Sequence, residues 1–181
     1  MEIRASSDSD LTRISDLETT SFGPSEGPII TVLVNKLLDD PTAQPRISLA
    51  ACEIERLTGH ILFTNAKIEG APQEISASIL APLAVLPERQ RAGIGKRLVT
   101  QGLKRLAEEH TDLVFVLGHP GYYPRFGFSP AGSQGLEAPY PIPRKNADAW
   151  MVLFLNSKLA GKIQGRVLCS NVLAQPEYWR E

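Results

Sequence analysis

Cysteine is scarce in this chain. The two present, Cys52 and Cys169, stand far apart and form no metal-type pair. Three histidines complete the set of soft ligands, none at ligand spacing, so no metal centre is expected. Cys52 lies in an apolar, strand-like run and reads as a buried, reduced thiol rather than a reactive one. A basic excess is also missing: 19 Lys and Arg stand against 20 Asp and Glu, for a net charge of −1, which argues against a dedicated nucleic-acid surface. Long apolar runs are absent as well. None approaches the roughly 18 residues a membrane helix requires, and Met1–Asp8 offers no apolar stretch for a signal peptide. A reducing cytoplasm, with no membrane partner, is the expected setting.

What is present is an ordinary globular composition, 43% hydrophobic and 22% charged over 181 residues, which suits one core and one domain. The domain is expected to fill residues 1–181, with its core over about 2–155 and a weakly patterned segment at 156–181. Glu2–Ala5 alternates like a short strand. Ser7–Asp10 supplies capping oxygens for a helix carrying Leu11, Ile14 and Leu17. Phe22–Pro28 is expected to break that helix, and Ile29, Ile30, Leu33, Val34, Leu37 and Leu38 then recur at helical spacing. A strand over 46–55, a turn at Arg56–Gly59 and a partner strand over 60–68 follow. Ile75–Leu86 reads as a strand interrupted near Pro82. Gly93–His110 reads as a helix, Leu113–Leu117 as a strand covered on both faces, and Trp150–Leu155 as another strand. Strand, turn, helix, strand is the pattern that places two parallel neighbours in one sheet. The Pro-rich stretch 129–149 reads as a long loop, a candidate specificity wall or lid.

The turn before the long helix carries the chemistry. It runs Gln90-Arg91-Ala92-Gly93-Ile94-Gly95-Lys96 between a strand and a helix. The first N–H groups of a helix have no partner inside it and sit at the positive end of its dipole, so they attract an anion. Gly93 and Gly95 put no side chain between backbone and phosphate. Arg89, Arg91, Lys96 and Arg97 add positive charge suited to a diphosphate. The dinucleotide fingerprint fails because Leu98 stands where a third glycine is wanted, and the P-loop fails because Arg97 follows Lys96.

What remains, Gln-x-x-Gly-x-Gly at a strand-to-helix turn, resembles the coenzyme A loop of the GNAT superfamily of N-acetyltransferases. Gly121-Tyr122-Tyr123-Pro124-Arg125-Phe126-Gly127-Phe128, one helix and one strand later, resembles that superfamily's aromatic stretch ending in Gly-Phe. Further likeness, to the YhbS-like acetyltransferases, runs through Gly59-His60-Ile61-Leu62-Phe63, Leu80–Pro87 and Gly118-His119-Pro120. The resemblance spans about residues 2–155. It implies an α/β fold with a twisted mixed sheet, helices on both faces, and two central parallel strands splayed to admit the pantetheine arm of acetyl-CoA. Carried onto this chain, Leu83, Ala84 and Val85 would hydrogen-bond that arm, and Gln90, Arg91, Ala92, Gly93, Ile94, Gly95 and Lys96 would hold the pyrophosphate.

Acetyl transfer requires a neutral amine, an oxyanion donor and a proton for the leaving thiolate. The resemblance makes Tyr123, four residues before Gly127, the candidate general acid; a core tyrosine with a satisfied hydroxyl is the alternative. Tyr122 is expected to face elsewhere and support packing. A backbone N–H near Val85 is the candidate oxyanion donor. For the acceptor side and its base, Glu26, His60, His119 and an ordered water relay all stay open, each side chain weighed against a purely structural role. The expected function is N-acetyl transfer from acetyl-CoA to an amine of a small molecule or protein, by a monomer or homodimer. A non-catalytic acyl-CoA-binding regulatory module and a plain interaction protein are the competing classes.

Overall fold

β1 (Glu2–Ala5) leads through a 3-10 turn at Asp8–Asp10 into α1 (Leu11–Asp39). The structure, a computed structural model, describes residues 1–180. Asp10 anchors this entry. Fully buried, it accepts hydrogen bonds from Arg4 at 2.7 and 2.9 Å, from Arg13 at 2.6 Å and from the Ser7 N–H at 2.9 Å. The Arg4 guanidinium, helped by Ser7, holds its carboxyl well below the ordinary carboxylate range in spite of burial.

α1 folds back on itself at Gly23, whose φ of 76° lies where a side chain is disfavoured. Residues 11–22 and 24–39 run against each other, joined by the Thr19–Thr31 hydroxyl pair at 2.8 Å and by Ser15–Asn35 at 3.2 Å. At Gly27 the carbonyl of Thr19 occupies the place a Cβ would take. Both expected helices are therefore present, but the expected break over Phe22–Pro28 shrinks to one residue. Pro24 opens the second arm, where its missing N–H has no helical partner to lose.

β2 (Ile47–Glu53) and β3 (Arg56–Ile68) pair antiparallel, and β4 (Ala77–Val85) pairs with β3 on its other side. The reversal between β2 and β3 lies at Ile54–Glu55, not at Arg56–Gly59. Gly59 lies inside the strand, paired with Ala51, and side chains of Ile94 and Leu98 come within 2.9 Å of where its Cβ would be. α2 (Ile94–Glu108) returns the chain to β5 (Leu113–Leu117), parallel to β4. The short strands β6 (Ser129–Pro130) and β7 (Leu136–Glu137) interrupt the Pro-rich stretch, and β8 (Trp150–Phe154) follows. β9 (Gly165–Leu168) pairs with the end of β3 and with β7. The main sheet runs β1-β2-β3-β4-β5-β8-β6.

Alternation along the strands assigns the two faces. Leu62, Ile79 and Phe115 pack with Leu33 and Leu37 of α1, while Ile61, Phe63, Leu80 and Val114 pack with Leu98 and Val99 of α2. The helices thus cover opposite faces. The C-terminal segment joins the α1 face: Trp179 meets Trp150 edge-on at 5.6 Å and donates its indole N–H to the Leu173 carbonyl at 2.9 Å. Asp40 tethers it by accepting from the Val172 N–H at 3.1 Å. No helix among the described residues is long and apolar enough to cross a membrane. Cys52 is half-buried rather than buried, and burial pushes the Cys169 thiol up to about 11.

Candidate active site

The parallel ladder between β4 and β5 is short. It pairs Ala77–Leu80 with Leu113–Val116 and stops there, although β4 continues to Val85 along β3. Pro82 contributes to the stop, since it has no N–H to offer a neighbour. The ladder between β3 and β4 shifts register at the same place, between Ile61 and Phe63. Past Leu80 the two parallel strands separate, and β5 turns away at Gly118. Between them lies a cavity of about 730 Å³ that extends onto the α1 face. Leu80–Leu83 and Val116–His119 form its cleft, Tyr122 and Tyr123 its α2-side wall, and Ile30, Leu33 and Trp179 its far wall. Leu83 lines it directly; Ala84 is buried and Val85 half-buried at the strand's end.

The glycine turn stands at the end of β4. Gln90 reaches back to the Val85 carbonyl at 3.3 Å. Arg91 adopts φ 63° and Gly93 φ 83°, so the backbone coils tightly into the start of α2. The first α2 bond joins the Arg97 N–H to the Gly93 carbonyl, which leaves the N–H groups of Gly93, Ile94, Gly95 and Lys96 without helical partners. A Cβ on Gly93 would meet nothing, so that glycine is required by its φ alone. Arg91, Lys96 and Arg97 are exposed and form no ion pair among the described residues. Arg89 differs from expectation: it is bound to Glu53 and does not add free charge to the turn. Ala92 is exposed, and Ile94 is buried beneath the turn as its hydrophobic anchor.

The two tyrosines follow β5 on a 3-10 turn at Tyr123–Phe126. Tyr123 is 8% exposed, its ring packed on Gly118 and edge-on to Tyr122 at 5.1 Å and Phe128 at 5.7 Å. Its hydroxyl makes no hydrogen bond to any described residue, although the ring lines the cavity. Burial, with Tyr122 adding to it, pushes the phenol well above its ordinary range, so it stays protonated at neutral pH. Tyr122 departs from the sequence expectation. It also lines the cavity, and its hydroxyl lies 2.9 Å from the place a Cβ on Gly95 would take. Its ring carries the Arg125 guanidinium at 4.6 Å from the centroid.

Of the three acceptor-side candidates, Glu26 and His119 line the cavity and His60 does not. Glu26 is not in a loop: it lies in the second arm of α1, where Ile30 and Leu33 continue the same helix face. The Nδ1 of His119 accepts from the Gly121 N–H at 3.0 Å. That bond engages Nδ1 and leaves Nε2 as the ring nitrogen available to a neighbouring group. His60 is fully buried beneath α1, with Nδ1 2.6 Å from Glu18 Oε1 and Nε2 2.9 Å from Ser48 Oγ. Both ring nitrogens are engaged, so His60 takes the structural role and does not line the cavity. Burial pushes the Glu18 carboxyl upward against the opposing pull of His60. Trp179, which the sequence leaves open between lining a pocket and packing, does both, and Leu173, Glu177 and Tyr178, which carry no signal in the sequence, join it to close one side of the cavity.

Comparison with known proteins agrees with this geometry. The profile of the acetyltransferase (GNAT) domain matches residues 2–131. The uncharacterised N-acetyltransferase YjhQ of Escherichia coli K12 is 42% identical over 164 residues, 90% of this chain and 88% of that protein. Among solved structures, the YhbS acetyltransferase of Escherichia coli in complex with CoA superposes with a TM-score of 0.84 at 26% identity, covering 96% of this chain and 92% of that one. A GNAT family acetyltransferase from Brucella melitensis in complex with acetyl-CoA gives a TM-score of 0.74 at 26% identity, covering 95% and 97%. Splayed strands, glycine turn and relatives agree: the chain belongs to the GNAT acetyltransferase family.

Proposed function

We propose that this protein transfers the acetyl group of acetyl-CoA directly to an amine held on the α1 side of the split sheet. The observation that carries the proposal is the split itself. The β4–β5 ladder ends at Leu80 and Val116, and Tyr122, which lines the cavity there, sets its hydroxyl against Gly95 of the turn whose four N–H groups lack helical partners, so an anion site neighbours an apolar cavity. The residues fit the cosubstrate. Gly93, Ile94, Gly95 and Lys96 point unpaired N–H groups at one locus, with Arg91, Lys96 and Arg97 around it. Leu83, Ala84 and Val85 lie at the strand end past the point where β5 leaves, suited to accept an added, strand-like arm.

In the transfer, the acceptor ammonium first loses one proton to water. The amine nitrogen bonds to the acetyl carbon and releases its second proton to water, the C–S bond breaks, and the sulfur leaves as thiolate to be protonated, so that amine and thioester become amide and free thiol. The Val85 region offers the backbone N–H for the developing oxyanion. Tyr123 gives the sulfur its proton or hydrogen-bonds it while that charge develops. Its raised range suits the role because the same dry slot also raises the thiol. No cysteine lines the cavity among the described residues, consistent with direct transfer rather than an acetyl-enzyme.

The test is a coupled assay of thiol release from acetyl-CoA against a panel of amines, with mass spectrometry of the products. Thiol release that depends on the amine, with one acetyl gained per thiol, is the expected result. Amine-independent hydrolysis alone, or no turnover with any amine, contradicts it.

A further inference from the structure

The cavity's walls and its charges point to a particular kind of acceptor. On the α1 side, Phe22, Ile30 and Leu33 face Leu173 and Trp179 across the opening. Trp179 is held rigidly, 3% exposed, by its indole hydrogen bond and by its contact with Trp150. These walls offer an acceptor body mainly apolar area, and the polar side chains lie at the edges, Glu26, Glu177 and Tyr178 on this side and His119 with the two tyrosines toward β5. The formal charges among the described lining residues are Glu26 on the second arm of α1 and Glu177 on the C-terminal turn; no lysine or arginine lines the cavity. Both carboxylates are exposed at its mouth. An apolar chamber with an acidic entrance draws in a cation and discourages an anion.

Resting on the acetyltransferase reading above, we infer that the acceptor is a cationic primary amine with an apolar, aryl-sized body and no carboxylate, and that Glu26 and Glu177 select it by charge. A hydroxyl-rich amine such as an amino sugar would bring several polar groups against Leu, Ile and Trp walls, where they lose water without gaining partners. An apolar body gains instead, by about fourfold in affinity for each buried methylene. An α-carboxylate next to the amine meets two like charges in a medium of reduced dielectric. The C-terminal segment thus acts as a specificity element. It supplies one of the two carboxylates and the aromatic wall, and its tether at Asp40 sets where they stand.

The experiment compares phenethylamine, phenylalanine and glucosamine as acceptors for the wild-type protein and a Glu26→Gln, Glu177→Gln double variant. Acetyl-CoA binding is measured by calorimetry on both proteins. The expected wild-type order is phenethylamine first, with kcat/KM at least roughly 50-fold above each of the other two. In the double variant, KM for phenethylamine rises about tenfold, and the preference over phenylalanine narrows while that over glucosamine stays. Calorimetric affinity for acetyl-CoA is unchanged, which also shows the variant is folded. Equal use of phenylalanine or glucosamine by the wild type overturns the inference. So does an unchanged phenethylamine-to-phenylalanine ratio in the double variant. If the wild type binds acetyl-CoA but uses none of the three, the acceptor class falls and the acetyltransferase reading stands. If acetyl-CoA does not bind, both fall.

Discussion

Replacing Tyr123 by phenylalanine removes one oxygen, and the structure states what that oxygen does for the fold. The hydroxyl has no hydrogen-bond partner among the described residues, so none is lost. The ring keeps its contacts with Gly118, Tyr122 and Phe128. Stability should therefore change by no more than about 0.5 kcal/mol. The rate should behave differently. A positioned proton donor is worth roughly 10²- to 10⁴-fold, which corresponds to about 2.7 to 5.4 kcal/mol of barrier. The assay is steady-state thiol release at saturating acetyl-CoA, alongside thermal unfolding of both proteins. Because burial raises the phenol, the wild-type rate should show no loss attributable to Tyr123 ionisation up to about pH 10. A variant within about threefold of wild type in kcat would refute the role assigned to Tyr123. A variant that loses several kcal/mol of stability would refute the claim that its hydroxyl is free.

Three further outcomes follow from the packing. Asp10→Asn, measured by urea unfolding, should cost about 2 kcal/mol at pH 7, below the usual figure for a buried pair because Arg4 and Arg13 are 35% and 45% exposed. Since the folded carboxyl is held low, its contribution is full above about pH 4 and fades as pH falls, so wild type and variant should converge in acid. Gly102→Ala places a methyl inside the ring of fully buried Phe63; overpacking of about 1–3 kcal/mol should outweigh alanine's helix preference of about 1 kcal/mol, giving a lower Tm. His60→Ala should cost about 3–5 kcal/mol by leaving Glu18 buried and unpaired, and a Glu18→Leu, His60→Leu double variant should recover most of that, because its two apolar groups need no partners.

The parts of the site that are local in sequence were legible there. The turn at Gln90–Lys96 announces itself because its glycines are demanded by local geometry: Gly93 takes φ 83°, and Gly95 lies against the Tyr122 hydroxyl. The order strand, turn, helix, strand already implied the parallel pair. Parts governed by distant packing were misread. Gly59 looked like a turn glycine, yet it is small because Ile94 and Leu98 press on β3. Tyr122 looked like a packing residue, but the 3-10 turn at Tyr123–Phe126 brings both tyrosines to the cavity. His60 stood open between chemistry and packing, and only its two partners on other elements, Glu18 and Ser48, show the packing role. The Leu173–Trp179 wall had no periodicity to betray it: its aromatic residues sit on a single 3-10 turn at Pro176–Trp179, which the contact with Trp150 fixes, and the chain before them is tied to Asp40 through Val172.

The most direct measurement is calorimetric titration of acetyl-CoA into the wild-type protein and into a Gly93→Glu, Gly95→Glu variant whose fold is verified by circular dichroism. The added carboxylates stand at the unpaired N–H groups of α2 and repel the pyrophosphate. Binding to wild type and none to the folded variant is the predicted result. No binding to wild type, or equal binding to both, would contradict the assignment of this turn as the cosubstrate's grip.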